Sequence, residues 1–228
     1  SYGQLGDGTS VNSSTPKKIE GLNNIVDISI GLFHCLALDI DGNVFGWGDN
    51  RYFQLTNKLP ATDKRTPAII ENLPFTVKNI YATGYNSYFL AYDSNVYMVG
   101  MTTKKYQNGN YINQYNGEPW IEFSDVVAFD VYNTSSTSSG VYVDRDMKVY
   151  RFTRDSSYYS LTKTEPKIFN GIKDIFITPY QGFAINDEGN LISWGIEWNG
   201  VDSLGLGAYS SPDNNYAFRN KDYVQAPH

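Results

Sequence analysis

Along the chain, short apolar runs alternate with clusters of turn residues. Ile25-Val26-Asp27-Ile28-Ser29-Ile30 places an apolar residue at nearly every second position, and Leu36-Ala37-Leu38 and Val44-Phe45-Gly46-Trp47 follow it. Gly31 separates the first two runs and Asp41-Gly42-Asn43 the last two. Alternation with a period of two suits a half-buried strand, and Asp-Gly between two such runs is a strong hairpin signal. No stretch keeps apolar residues at three- and four-residue spacing for four turns without Gly, Pro or a β-branched cluster intervening. The pattern predicts an all-β chain, with strands over more than a third of the residues and no helix of three full turns.

The same order of runs recurs. Thr15-Pro16 opens a unit that closes at Trp47-Gly48, and Thr66-Pro67 opens one that closes at Val99-Gly100. Glu118-Pro119 opens a worn unit that ends at Arg151-Phe152, and Glu165-Pro166 opens one that ends at Trp194-Gly195. The four prolines stand 51, 52 and 47 residues apart. Each unit holds three or four short strand-like runs, the layout of a propeller blade. This register makes Trp47, Val99 and Trp194 equivalent. It also leaves Val26, Ile28 and Ile30 at one end of the series, and Ile192 and Trp194 at the other, in need of a neighbour.

Gly3-Gln4-Leu5-Gly6-Asp7-Gly8-Thr9, the Thr-Pro openings, the Gly31 to His34 spacing, Asp41-Gly42-Asn43-Val44 and Trp47-Gly48 together resemble the regulator of chromosome condensation repeat family. The resemblance runs from residue 1 to about 207, strongest in the first and fourth units. It implies an all-β, seven-bladed β-propeller, of which this chain holds four recognisable blades as part of a larger ring. Residues 1–228 are read as one propeller segment. Its repeats are at about 15–56, 65–107, 118–162 and 165–207, and residues 208–228 form an insertion and the start of a further repeat. A closed four-bladed ring is the rival arrangement.

Composition narrows the chemistry. The 24 acidic and 18 basic residues leave a net charge of −6, a poor match to the phosphate backbone, so no nucleic-acid partner is expected. No apolar run approaches the roughly 20 residues of a membrane helix, and no membrane partner is expected. Cys35 is the one cysteine and His34 and His228 the two histidines. That excludes a disulfide framework and a four-thiolate zinc site. His34 and Cys35 are neighbours on a strand and so point to opposite faces, which argues against a thiol-imidazole dyad. Asp39-Ile40-Asp41-Gly42-Asn43 has its Gly too early for a calcium loop and reads as a hairpin turn. No catalytic, metal or cofactor site is expected, and the chain is read as no enzyme.

What remains is surface chemistry. Aromatic residues make up 15% of the chain, including 19 Tyr. They gather with cations in the segments that follow each blade's inner pair. Arg51, Lys104, Arg154, Tyr158, Tyr159 and Trp198 are the candidate interaction residues, since Tyr, Trp and Arg dominate interface energies. Tyr52 and Phe53 are expected to pack between neighbouring blades. The favoured function is a non-catalytic protein-binding scaffold. The resemblance also implies guanine-nucleotide exchange on a Ran-like small GTPase as an alternative, and a structural subunit of a large assembly is a third reading. The compartment is not legible in the sequence.

Overall fold

The computed structural model describes residues 2–56, 59–107, 110–133, 137–155, 161–163, 167–168, 171–178 and 181–195. For 102–107, 110–116, 133, 137, 154–155, 161–163, 167–168, 181 and 194–195 it describes the backbone alone. Among these residues every regular element is a strand, sixteen in all, arranged in four antiparallel sheets. Sheet A is β1 (Ile25–Ile30), β2 (His34–Asp39), β3 (Val44–Gly48) and β4 (Lys64–Ile69), paired in chain order. Sheet B repeats this order with β5 (Val77–Ala82), β6 (Asn86–Ala91), β7 (Val96–Gln107) and β8 (Asn110–Phe123). Sheet C holds β9 (Val126–Asn133), β10 (Thr137–Asp144), β11 (Lys148–Asp155), β12 (Leu161–Lys163) and β13 (Lys167–Ile168). Sheet D holds β14 (Ile172–Ile177), β15 (Gln181–Asn186) and β16 (Leu191–Gly195).

The register of the first three strands is nearly the same in sheets A, B and D. Cys35 faces Trp47, Ser87 faces Val99 and Gly182 faces Trp194. The expected equivalence of Trp47, Val99 and Trp194 therefore holds in the backbone. A local device at the end of the second strand closes the hairpins of sheets A, C and D in the same way; in sheet B, where Ala91 holds that position, Asp93 Oδ1 accepts from Asn95 N–H instead. Asp39 Oδ1 accepts hydrogen bonds from the N–H groups of Asp41 and Asn43, at 3.0 and 2.8 Å. Asp144 Oδ1 does this for Asp146 and Lys148, and Asn186 Oδ1 for Glu188 and Asn190. Short Asx side chains are favoured here because they satisfy turn amides that no strand partner reaches. The Asp39 carboxylate is thus committed to a turn.

The chain divides into two compact units, one containing β1–β8 and the other most of β9–β16. In the first, alternation along the strands sends Leu36, Leu38 and Val44 from sheet A against Val77, Ile80, Phe89 and Val99 of sheet B, with Leu55 and Ile70 in the same cluster. The opposite side of sheet A carries Cys35, Ala37 and Trp47, against which Ile19 and Leu22 of the N-terminal segment pack. In the second unit Val141, Val143 and Val149 of sheet C meet Ile172, Ile175 and Ala184 of sheet D. Ile192 joins this cluster, which corrects its expected place on an open end. Among the described side chains of sheet D, the exposed large apolar ones are Phe176 and Leu191; the side chain of Trp194 lies outside the described residues. Val26, Ile28 and Ile30 are exposed. One feature was not read from the sequence: β7 and β8 form an arm that continues past the blade to Gln107↔Asn110, on either side of Asn108-Gly109, a two-residue hairpin signal.

Candidate functional site

Gly48 ends β3, and the next residues turn sharply. Asp49 is fully buried, and its N–H donates to the Phe33 carbonyl at 2.8 Å. Its Oδ1 accepts from Arg51 N–H at 2.8 Å and from Arg51 Nε at 2.9 Å, while Oδ2 accepts from Nη2 at 2.9 Å. This fork is the strong form of a carboxylate-guanidinium pair, and it removes most of the rotamer freedom of a long side chain. The buried partner holds the Arg51 pKa above even its ordinary high value. Asn50 fixes the following loop: Oδ1 accepts from Leu55 N–H at 2.8 Å, and Nδ2 donates to the Thr56, Leu59 and Pro60 carbonyls.

The clamped guanidinium lies 4.3 Å from the centre of the Tyr2 ring and 5.9 Å from that of Tyr52. Tyr2 meets Phe33 edge-on at 5.5 Å, Phe33 meets Tyr85 at 5.4 Å, and Tyr85 meets Tyr52 edge-on at 5.4 Å. The result is an unbroken row, Tyr2, Phe33, Tyr85, Tyr52, with Arg51 against its two ends. All four rings are half-buried and Arg51 is exposed. The repeat generates the row. Phe33 and Tyr85 hold the same position in the first loops of sheets A and B, 52 residues apart, and Tyr2 and Tyr52 hold the same position in the segments preceding them.

Of the residues singled out from sequence, Arg51 lies in this cluster. Lys104 stands on the β7 arm, opposite Asn113, and Arg154 on β11; their side chains lie outside the described residues. Tyr158, Tyr159 and Trp198 lie outside them altogether. Tyr52 and Phe53 are half-buried, Tyr52 in this row against Tyr85, while Gln54 and Leu55 are the fully buried residues of their segment. Sequence reasoning did not bring Tyr2, Phe33 and Tyr85 together with Arg51: the 52-residue offset marks Phe33 and Tyr85 as equivalent positions but does not show that packing joins them.

Beneath the row, His34 is fully buried and its Nε2 is 2.8 Å from Ser87 Oγ. Ser87 donates its own proton to the Gln54 carbonyl at 2.6 Å, so its oxygen accepts from Nε2–H, and the ring is neutral. Nδ1 is buried with no hydrogen-bond partner. Burial pushes the His34 pKa down to about 4 and the Cys35 thiol up to about 11. Neither group is poised for chemistry: one is sealed from solvent and the other is held in its unreactive form. Cys35 Sγ points instead to the Gln4 carbonyl on the other side of the sheet.

Comparison with known proteins places this geometry. Residues 1–38 and 25–54 each match the regulator of chromosome condensation (RCC1) repeat. The chain is 38% identical over 71 residues to the E3 ubiquitin-protein ligase HERC2 of Homo sapiens, a match covering 30% of this chain and 1% of that protein. It is 45% identical over 56 residues to the ultraviolet-B receptor UVR8 of Arabidopsis thaliana, covering 24% and 13%. It is 38% identical over 68 residues to an RCC1-like G exchanging factor-like protein of Mus musculus, covering 28% and 15%. Among solved structures, Prp20p of Saccharomyces cerevisiae, described with its binding properties to Gsp1p and histones, superposes with a TM-score of 0.57 at 21% identity. That match covers 89% of this chain and 50% of that one. The chain thus spans small parts of these curated relatives and about half of Prp20p. Residues 1–54 carry RCC1-type repeats, and the all-β fold is that of the RCC1 β-propellers.

Proposed function

We propose that this chain is one β-propeller segment of a larger ring and serves as a non-catalytic, protein-binding scaffold. Its contact surface is the loop end marked by Arg51 and the row Tyr2, Phe33, Tyr85 and Tyr52. The observation that carries this reading is the pairing of a clamped, exposed guanidinium with four half-buried rings. Such a set is preorganised, so binding orders few side chains, and it consists of the residue types that dominate interface energies. The net charge of −6 favours a protein over a nucleic-acid partner. Prp20p, similar in fold, likewise has binding properties to proteins, Gsp1p and histones.

Nucleotide exchange on a small GTPase is the second reading, favoured by the stretch shared with the mouse G exchanging factor-like protein. Both readings are tested with a purified Gsp1p-type GTPase carrying a fluorescent guanine nucleotide, and with core histones. A scaffold binds one of these without accelerating nucleotide release, and Phe33→Ala or Tyr85→Ala weakens that binding by about 30-fold, the scale of a hot spot. Accelerated release replaces the scaffold reading with exchange. Binding that ignores both substitutions removes the site from the loop end.

A further inference from the structure

We propose that Thr15 is a phosphorylation site, the substrate of a protein kinase that selects proline directly after the acceptor and a cation beyond it, and that phosphate there draws Lys17 away from Asp7. Four hydroxyl residues of the chain precede a proline: Thr15, Thr66, Thr178 and Ser211. Lysines follow directly only in Thr15-Pro16-Lys17-Lys18; Ala68-Ile69, Tyr180-Gln181 and Asp213-Asn214 stand in that place elsewhere. The structure adds a second distinction, between Thr15 and Thr66.

Residues 14–18 are exposed. Among the described residues, 10–18 neither belong to a strand nor make a backbone–backbone hydrogen bond. What holds the acceptor is local. Ser13 Oγ donates to the Thr15 carbonyl at 2.8 Å, so in the 3.3 Å contact between the two hydroxyls Thr15 Oγ1 is the donor. The residue before a proline is confined to extended backbone, and the proline itself offers no N–H. A cleft that demands no hydrogen bond at that position, and places anions opposite the cations beyond it, reads this segment by shape and charge. Lys18 is 76% exposed and its contact with Glu20 is 3.6 Å long, a surface pair worth little, so its ammonium is open to such anions. The next anchor, Ile19, packs against the cluster of Cys35, Ala37 and Trp47, beyond the residues that are read.

Thr66 has the same neighbour in the opposite setting. It lies within β4, where Gly46↔Ala68 and Gly48↔Lys64 pair on either side of it. Gly8 N–H donates to the Arg65 carbonyl at 2.9 Å, and Ile70 N–H to the Val44 carbonyl at 2.8 Å. Drawing Thr66 into a cleft strips β4 from β3 and pulls on Ile70, which belongs to the core between sheets A and B. Lifting Thr15 breaks the Ser13 contacts and one surface ion pair, that of Lys17 with Asp7. Local opening is easy where few buried contacts and ladder bonds are lost, and that separates the two threonines.

In the transfer, Thr15 Oγ1 attacks the γ-phosphorus of ATP and a P–O bond forms as the bond to the β–γ bridging oxygen breaks. The hydroxyl proton passes to the base of the kinase and ADP leaves. The product places a phosphate of nearly two negative charges two and three residues from Lys17 and Lys18. In the unmodified chain Lys17 Nζ lies 2.8 Å from Asp7 Oδ2, and this contact, with Thr9 assisting, holds the Asp7 carboxyl down to about 2. A phosphate dianion outcompetes one carboxylate for an exposed ammonium. Phosphorylation therefore releases residues 10–18 from the Asp7–Thr9 turn, while Asp7 keeps its bonds from Thr9 N–H and Oγ1 at 3.0 and 2.7 Å.

The purified chain is incubated with ATP and a proline-directed serine/threonine kinase, and phosphate is mapped by peptide mass spectrometry. Phosphate is expected on Thr15 and not on Thr66, and Lys18→Ala should slow transfer to Thr15 by about tenfold, the scale of one lost charge contact. Ile69→Lys gives Thr66 a cation at the matching position, on a side chain that is 40% exposed. In that variant, its urea midpoint confirming that it is folded, Thr66 should still be modified at least about tenfold more slowly than Thr15. An unmodified Thr15 in the parent chain overturns the proposal, and so do equal rates at Thr15 and Thr66 in the folded Ile69→Lys chain. The second half is read by NMR titration of the Asp7 carboxyl, which should move up by about one pH unit after phosphorylation; an unmoved titration overturns the transfer of Lys17.

Discussion

His34, fully buried, and Asp130, half-buried, pull stability in opposite directions with pH. Burial lowers the His34 pKa to about 4 in the folded chain, against about 6.5 when unfolded. The unfolded chain therefore binds more protons between these values, and His34 contributes stability that is complete above about pH 6.5 and lost as pH falls through 4. The cost has a visible origin, because protonation would turn the partnerless Nδ1 into a buried, unsatisfied donor. About 3 kcal/mol should disappear across this window, from roughly 1.4 kcal/mol per unit. Urea midpoints should fall between pH 7.5 and 5 in the native chain and far less in His34→Gln; equal slopes would refute the assignment. Asp130 is raised to about 6 by burial, despite accepting hydrogen bonds from Ile177 and Val131. Its folded pKa lies above its unfolded value, so its contribution is complete below about pH 4 and is lost as pH rises through 6. Asp130→Asn keeps an acceptor for Ile177 N–H and removes the charge. It should raise the midpoint at pH 8 and leave it unchanged at pH 4, and a variant destabilised at both would show that the carboxylate itself is needed.

At the scale of strands and turns, the repeat was readable where backbone geometry demands a residue type and unreadable where packing allows several. Gly48 and Gly100 both have positive φ, and a Cβ on either would strike a carbonyl, that of Phe33 or of Tyr85. No other residue fits, so the glycine persists in both units. The neighbouring position only has to fill space, and Val99 stands there in place of Trp47. The third unit, which ends on Arg151-Phe152, lacks both the Trp and the Gly of that pair and so looked worn, although its strands form. The second turn of each hairpin offers a measurable version of the same principle. Gly42 and Gly189 have φ near +84° and +82°, while Ser94, the counterpart of Gly42, is held at +66°. A Cβ at Gly42 would meet nothing within 4 Å, so substitution there tests the backbone alone. Gly42→Ala should cost about 1 kcal/mol and Ser94→Gly should recover a comparable amount, the scale of left-handed strain in an L-residue. Denaturant titration reads both, and a neutral Ser94→Gly would show that the serine side chain offsets its strain. The β7–β8 arm was missed although its turn was legible. The Asn108-Gly109 pair between Lys104-Lys105-Tyr106 and Tyr111-Ile112-Asn113 is a hairpin signal, but it falls outside the repeat period on which the reading was built.

For the whole molecule, the all-β class, the succession of sheets and the bare Ile28 and Ile30 were legible because each follows from period and alternation within one unit. The aromatic row was not. It needs Tyr2, Phe33, Tyr52 and Tyr85 to be brought together by packing between successive sheets, which period alone does not display. The direction in which sheet D presents its open side was misread for the same reason, since either side of a strand that is apolar on both can be the buried one. The uncovered side of sheet A has a consequence for the entire chain in solution. At pH 7 the net charge of −6 keeps copies apart, but the isoelectric point is near 4.9, so repulsion fades as pH falls toward 5. Ile28, Ile30 and Leu5, exposed on the sheet and on the segment packed against it, then supply contact area with no opposing charge. Light scattering should show the apparent mass rising between pH 7 and 5. Ile28→Thr combined with Ile30→Thr should suppress that rise while leaving the urea midpoint at pH 7 within about 0.5 kcal/mol, as expected for exposed positions. This pair of readouts separates the face from the acid sensitivity of His34, which would lower the midpoint in parent and variant alike. If the double variant associates as strongly as the parent, loss of charge alone drives the association and the open face of sheet A plays no part in it.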